Sequence, residues 1–426
     1  MKITKGITAL LLLCVALALH GCINVNKNTD AEIFKYLNHW LDAAPKDRTP
    51  LTDLYFAKAP LTRSQAEQAA ALLLADKQSR MRTQYEKQWD DRQLKVDNHT
   101  MPFYYNIFGE EPADGRSLFI SMHGGGGTTA AMNDQQYENQ KHLYDATMEG
   151  LEGVYLSPRA PTNTWDLWHQ DHIDDFMNII IQMAVIKLNV NPNKVYVMGY
   201  SAGGDGVYQL APRMADRWAA ASMMAGHPND ASPLSLRNTP FVIRVGALDD
   251  AYDRNLIAQQ WGAKLDSLQS ADPEGYIHNV DTPEGMGHWM KLKDAVALPW
   301  MQQYTRNPIP QKVVWKQDNR KHSAFYWLGM PEGNIKDGAT LVAEYDTNLN
   351  EINILEKTND TIQLFLNDNM VDLDQPVTIK YQGKVIGKKV FKRSIANLYQ
   401  NINRKGDANF AFPSVVTVVE NKEILD

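Results

Sequence analysis

The chain has almost no cysteine: among its 426 residues only Cys14 and Cys22 carry a thiol, both close to the amino terminus. A disulfide framework is therefore excluded, and stability must come from a buried core. Charge of one sign is not in excess either. The net charge is −7 and no basic cluster stands out, so nucleic acid is not an expected partner. Internal repeats and low-complexity tracts are missing, which argues against a fibrous or disordered chain. The apolar run from Ile7 to Leu19 is too short to span a bilayer comfortably. What is present is an ordinary apolar content of 44% and a charged content of 22%, enough for one large or two moderate globular domains.

That apolar run follows Lys2 and Lys5 and ends in Leu19-His20-Gly21-Cys22, the layout of an export signal. The last four residues resemble a bacterial lipoprotein box, with small Gly21 before the cysteine. The resemblance implies a signal peptide over 1–21, a lipidated amino terminus at Cys22, and a polar tether from Ile23 to Asp30 that holds the protein at the membrane of a bacterial cell envelope. An ordinary cleaved signal beside a chance cysteine is the alternative. Loss of Lys2 and Lys5 with the leader would take the net charge to about −9.

Residues 22–93 are expected to hold the tether and a helical extension. Ile33, Tyr36, Leu37, Trp40 and Leu41 recur at three and four, and Ala66 to Tyr85 is rich in Ala, Leu, Gln and Arg with no breaker. The Leu72-Leu73-Leu74 run in it is read as packing. From 94 to 308 short apolar strands alternate with helical patterns. Strands are predicted at 118–122, 153–156, 194–198, 219–224, 240–246 and 276–281, and helices at 129–148, 172–188, 204–217, 254–269 and 290–305. Such alternation means an α/β domain with a mostly parallel sheet, helices on both faces, and ligands beyond the carboxyl ends of its strands. After Asn307-Pro308-Ile309-Pro310 the pattern changes to short alternating runs, with a hairpin expected to turn on Gln382-Gly383 and one helix near 394–402. Residues 309–426 are thus expected to form a β-rich accessory domain, a small sandwich.

Within the α/β part, the run Val195 to Met198 leads straight into Gly199-Tyr200-Ser201-Ala202-Gly203, and a helical pattern follows. Ser201 therefore sits on a sharp turn from strand to helix, where glycines two residues to either side permit a strained backbone and close packing. A free serine hydroxyl is a poor nucleophile, so a base, an orienting acid and an oxyanion site must accompany it. The strand Leu118 to Met122 runs into His123 and four glycines, Gly124 to Gly127, whose bare amides can turn toward a developing oxyanion. His123 is read as a brace for that loop. Four histidines follow the serine. His278 lies within a strand, His227 precedes the predicted acid strand and His322 falls in the β-rich part, whereas His288 occupies the loop Gly285-Met286-Gly287-His288-Trp289 after the last core strand. The acid is sought after the strand Pro240 to Gly246, where Asp249 comes first, with Asp250 and then Asp253 as alternatives. Trp165 and Trp168 lie on the carboxyl side of the sheet as candidates for a substrate pocket. A metal site drawn from His169, Asp171, His172 and Asp174 is rejected, because polar residues that open a helix look the same.

Taken together, H-G-G-G-G, G-Y-S-A-G-G, G-A-L-D-D and G-M-G-H-W resemble the α/β-hydrolase superfamily, and within it the secreted esterases that include polyhydroxybutyrate depolymerases and feruloyl esterases, with prolyl-oligopeptidase-like hydrolases as neighbours. The resemblance covers about Met101 to Thr305. It implies a Ser201-Asp249-His288 triad and an oxyanion hole from the amides of Ala202 and of Gly124 or Gly125, with no cofactor and no metal. The chain lacks the depolymerases' cysteines and has a longer glycine run, which argues against a polymer substrate. The expected function is an exported, lipid-anchored serine esterase acting on a small-molecule or polysaccharide-linked ester. A serine peptidase of the prolyl-oligopeptidase-like group and a non-catalytic, surface-anchored carbohydrate-binding protein are the alternatives.

Overall fold

A computed structural model describes residues 30–420 and 423–425, so the expected signal sequence and Cys22 lie outside the described residues. The described residues divide into two compact units, one up to Arg48 and the other from Thr49 onward. In the first, helix α1 (Asp30–Asp42) buries Ile33, Leu37 and Trp40 on one face, the spacing that the sequence pattern predicts. It is closed by Arg48, whose guanidinium lies 4.5 Å from the Trp40 ring and donates to the Leu41 carbonyl at 2.7 Å.

The second unit opens with 3-10 turns and then the 28-residue helix α2 (Arg63–Asp90). Its start is fixed by a capping box, in which the Thr62 hydroxyl accepts from Gln65 N and the Gln65 side chain accepts from Thr62 N. The core sheet follows: β1 (Gln93–Val96), β2 (His99–Phe108), β3 (Arg116–Met122), then α3 (Ala130–Gln140), α4 (Asp145–Met148), β4 (Gly153–Pro158), α5 (Asp171–Leu188), β5 (Val190–Tyr200), α6 (Ala202–Arg213), β6 (Ala220–Met224), β7 (Phe241–Arg244), α7 (Arg254–Ala271), β8 (His278–Asp281) and α8 (Ala297–Met301). The strands lie in the order β1-β2-β4-β3-β5-β6-β7-β8. β1, β2 and β4 pair antiparallel in turn, and every other neighbour pair is parallel.

Period-two alternation decides which face each side chain covers. Leu118, Ile120, Val195 and Val197 join one apolar cluster with α5, α6 and α7, whereas the intervening Phe119, Tyr196 and Met198 join another with Tyr144 and α8. The strand predictions hold to within a few residues. Two helices do not. The segment 129–148 breaks between α3 and α4, where Tyr144 turns inward and its hydroxyl donates to buried Asp294 at 2.5 Å. The segment 290–305 becomes a 3-10 turn and the short α8, because Lys291 and Leu292 take left-handed backbone angles, φ 53° and 65°, that no α-helix accommodates.

The β-rich region holds β9 (Lys312–Lys316), β10 (Ala324–Phe325), β11 (Leu328–Gly329), β12 (Thr340–Asp346), β13 (Glu351–Lys357), β14 (Thr361–Leu366), β15 (Val377–Tyr381), β16 (Lys384–Lys389), α9 (Ile395–Lys405), β17 (Ser414–Val419) and β18 (Glu423–Leu425). Two five-stranded sheets, β16-β15-β13-β12-β9 and β10-β11-β14-β17-β18, share one apolar core that includes Trp315, Leu341, Ile354, Leu364 and Val416. The β15–β16 hairpin turns on Gln382 and Gly383, both at positive φ, as a two-residue hairpin requires. This region belongs to the same compact unit as the core sheet. Buried Arg306 ties the two parts, donating to Asp407 at 2.6 Å and to Asn193 at 3.0 Å, and α2 lies against both α5 and α9.

Candidate active site

The strain that the sequence motif requires is present. Between β5 and α6, Ser201 has φ 57° and ψ −121°, a conformation that lifts its side chain out of the turn. The flanking glycines are steric necessities: a Cβ on Gly199 would come within 2.2 Å of Gly203 O, and one on Gly203 within 2.2 Å of Met122 O. The serine amide is fixed by donation to Met224 O at 2.9 Å, and α6 begins with Asp205 N donating to Ser201 O.

Three distant segments meet at this turn. The Ser201 Oγ lies 3.0 Å from His288 Nε2, and His288 Nδ1 lies 2.8 Å from Asp249 Oδ2. A carboxylate only accepts, so the neutral imidazole carries its proton on Nδ1, which donates to Asp249 and leaves Nε2 to accept from the serine hydroxyl. Asp249 is 2% exposed, while His288 is half-exposed at the cleft. Asp250, the alternative acid, is exposed, and Asp253 serves as the left-handed residue before α7. The histidine loop is pinned by Tyr200, the neighbour of the serine, whose hydroxyl donates to His288 O at 2.6 Å and accepts from Met290 N at 2.9 Å.

The glycine loop is held from behind. Asn133, fully buried, accepts from Gly126 N at 3.0 Å and donates back to Gly126 O at 3.2 Å. That occupies the Gly126 amide and leaves those of Gly124 and Gly125 as the loop's candidates for an oxyanion, opposite Ala202 at the first position of α6. Gly125 has φ 108°, and a Cβ there would lie 2.1 Å from the Asn133 side-chain oxygen, so glycine is obligatory. His123 acts as a brace: Nδ1 donates to Gly124 O at 2.6 Å and Nε2 accepts from Ala160 N at 3.1 Å. Burial lowers its pKa to about 4, so it stays neutral.

Two cavities meet at Ser201. The larger, about 800 Å³, is walled by Gly124, Met132, Leu143, His288 and Trp289, and the smaller, about 410 Å³, by Trp165, Ala202, Asp205, Tyr252 and Arg254. Trp165 is 63% exposed on the rim. Trp168 is a correction to the sequence reading. It is fully buried, and its indole N–H donates to His123 O at 2.9 Å, so it supports the glycine loop from inside and does not reach the pocket. Of the residues drawn as a metal site, Asp174 is committed to Arg213 at 2.7 Å and His322 at 2.9 Å, and His172 stacks on His99.

Asp205 was not singled out by the sequence, although it stands one helical turn after Ser201 and so shares its face. Its Oδ1 accepts from His227 N at 2.6 Å, and burial pushes its carboxyl up to about 6. Arg254 was missed as well; Nη1 reaches Asp249 Oδ1 at 3.5 Å and Ala251 O at 3.3 Å.

A serine on the strained turn after β5, in a sheet of this strand order, defines the α/β-hydrolase fold, here carrying a β-rich domain. No protein-family model matches the chain. It is similar to NocK of Nocardia uniformis subsp. tsuyamanensis, a candidate esterase by its name, at 28% identity over 141 residues, 32% of this chain. The match spans 40% of the Nocardia protein's length. Among solved structures, the BES protein from Bacillus cereus is 10% identical over 50% of this chain and 92% of that one, with a TM-score of 0.37. The feruloyl esterase module from Clostridium thermocellum is 16% identical over 50% and 86%, with a TM-score of 0.36.

Proposed function

We propose that the protein is a serine hydrolase of carboxylic esters, exported and held at the cell envelope by a lipid on Cys22. The observation that supports it best is the continuous hydrogen-bonded path from Ser201 Oγ through His288 to Asp249. His288 Nε2 takes the hydroxyl proton as Ser201 attacks the acyl carbon, Asp249 stabilises the imidazolium, and the proton then passes to the departing alcohol. Amides of Ala202 and of Gly124 or Gly125 hold the oxyanion, each such donor contributing about 10²–10³ in rate. Water repeats the sequence in reverse to release the acid and restore Ser201.

The test is hydrolysis of a short p-nitrophenyl ester together with labelling by a fluorophosphonate. The reading expects both, and expects Ser201→Ala to lose both while keeping the fold. Turnover of peptide amides in preference to esters would move the assignment to a peptidase, and absence of labelling with retained polysaccharide binding would favour a non-catalytic protein. Lipidation is tested separately, by incorporation of labelled fatty acid that Cys22→Ser abolishes.

A further inference from the structure

Helix α2 carries Ala66, Ala69, Leu73 and Met81 on its buried stripe, and one lysine stands in the same stripe. Lys77 lies one turn after Leu73 and one turn before Met81, and it is half-buried. A lysine drawn out of water needs an acceptor, yet among the described residues Lys77 makes neither a hydrogen bond nor an ion pair. What stands near it is a second cation, Arg217, in the 3-10 turn Ala215–Arg217 that follows α6.

Arg217 is 2% exposed and is the unmatched member of a buried charge cluster. Arg306 holds Asp407 at 2.6 Å and Lys405 holds Asp216 at 2.7 Å, whereas Arg217 Nη1 comes only to 3.9 Å from the Asp407 oxygen that Arg306 already engages. Its Nε and Nη2 are buried and, among the described residues, have no hydrogen-bond partner. These two nitrogens share one edge of the guanidinium, a fork that meets two oxygens of one oxyanion or converges on one halide. Burial lowers the pKa of Arg217 to about 10, and burial together with the nearby Arg80 and Arg217 lowers that of Lys77 to about 8, so both side chains are cationic at neutral pH. Desolvated cations without a counter-charge destabilise a fold strongly. We infer that Arg217 and Lys77 form a structural site for a small inorganic anion, held between the side-on edge of the guanidinium and the lysine ammonium. The half-buried Lys77 gives the anion its way in. By neutralising both cations it ties α2 to the turn after α6 and stabilises the folded chain by mass action. Ordered water, which would serve Arg217 Nε and the unpartnered Asp216 Oδ1 alike, is the competing occupant.

The experiment uses the full-length protein in detergent and follows thermal unfolding by circular dichroism while sodium bromide or sodium sulfate replaces sodium gluconate at constant ionic strength. In the wild type Tm is expected to rise by about 2 °C for each tenfold increase of the bound anion above its dissociation constant. A slope with bromide alone identifies a halide site, and a slope with sulfate an oxyanion site. The Lys77→Met variant continues the apolar stripe and so keeps the fold. It should lose the slope, with a Tm in gluconate equal to or above that of the wild type, a result that removal of a merely surface charge would not give. Crystals soaked in bromide or sulfate, whichever carries the slope, should place that anion within hydrogen-bond reach of Arg217 Nε and Nη2 and of Lys77 Nζ. A wild-type Tm indifferent to the identity of the anion, an equal slope in Lys77→Met, or water alone at the Arg217 edge would each overturn the inference. The outcome is independent of whether Ser201 is labelled, so the esterase reading stands or falls separately.

Discussion

Replacing Asp205 with asparagine should stabilise the folded protein at neutral pH and make no difference in acid. The substitution keeps the shape of the side chain and the bond from His227 N, and removes only the ionisable group. An aspartate has a pKa of about 3.9 in an unfolded chain, and burial raises that of Asp205 to about 6 when folded. Between those values the folded chain binds more protons than the unfolded one, so ionisation of Asp205 opposes folding. The cost is complete above about pH 6 and absent below about pH 4. At about 1.4 kcal/mol for each pH unit the ceiling is about 3 kcal/mol, and access of water from the cavity reduces it to about 1–3 kcal/mol. Unfolding followed by circular dichroism at pH 7.5 and pH 4 measures this directly. The variant is expected to be the more stable at pH 7.5, with the two chains converging at pH 4. An equal difference at both pH values would refute the reasoning, as would a less stable variant at pH 7.5. A carboxylate kept at such a cost beside a reactive serine is the pattern of a residue retained for function.

Other consequences follow from the same geometry. Asp249→Asn should lower kcat by about 10⁴ with KM little changed, since the amide no longer selects the Nδ1 proton, whereas exposed Asp250 replaced by Asn should leave turnover near wild type; the reverse result would reassign the acid. Asn133→Ala unpairs Gly126 N and leaves Gly126 O with Thr128 N as its donor, and should cost about 1–3 kcal/mol in stability and up to about a hundredfold in kcat, read from steady-state kinetics beside thermal unfolding. Unchanged kcat would mean that the glycine loop needs no support. Tyr200→Phe removes the bridge from His288 O to Met290 N and should reduce stability by about 1–3 kcal/mol together with kcat, measured in the same way.

Much of this fold could be read in the chain because its signals are local. The runs around Leu118 and Val195 are buried on both faces, and the glycines beside Ser201 and in Gly124 to Gly127 answer to close contacts of the backbone with itself. The order of the serine, acid and histidine segments was legible for a similar reason, since each follows directly on a strand. What could not be read depends on where loops go. Trp165 and Trp168 lie three residues apart in one loop, yet one faces solvent and the other fills the space behind His123, and no periodicity distinguishes them. The break at Tyr144 is caused by Asp294, 150 residues away. Asp205 and Arg254 look like ordinary polar residues near helix starts, and only the path of the chain from β7 into α7 brings them to one cavity. The left-handed angles at Lys291 and Leu292, which end the expected helix before it begins, are imposed by the need to seat His288 and bury Met290 beside Tyr200.

The measurement that bears most directly on the account is fluorophosphonate labelling of the full-length protein followed by peptide mass mapping, with hydrolysis of p-nitrophenyl butyrate assayed in the same preparation. The account predicts one modified residue, Ser201, in proportion to the activity lost, and neither modification nor hydrolysis in Ser201→Ala. Steady hydrolysis by the Ser201→Ala protein, or a label that settles on another residue while activity disappears, would contradict it.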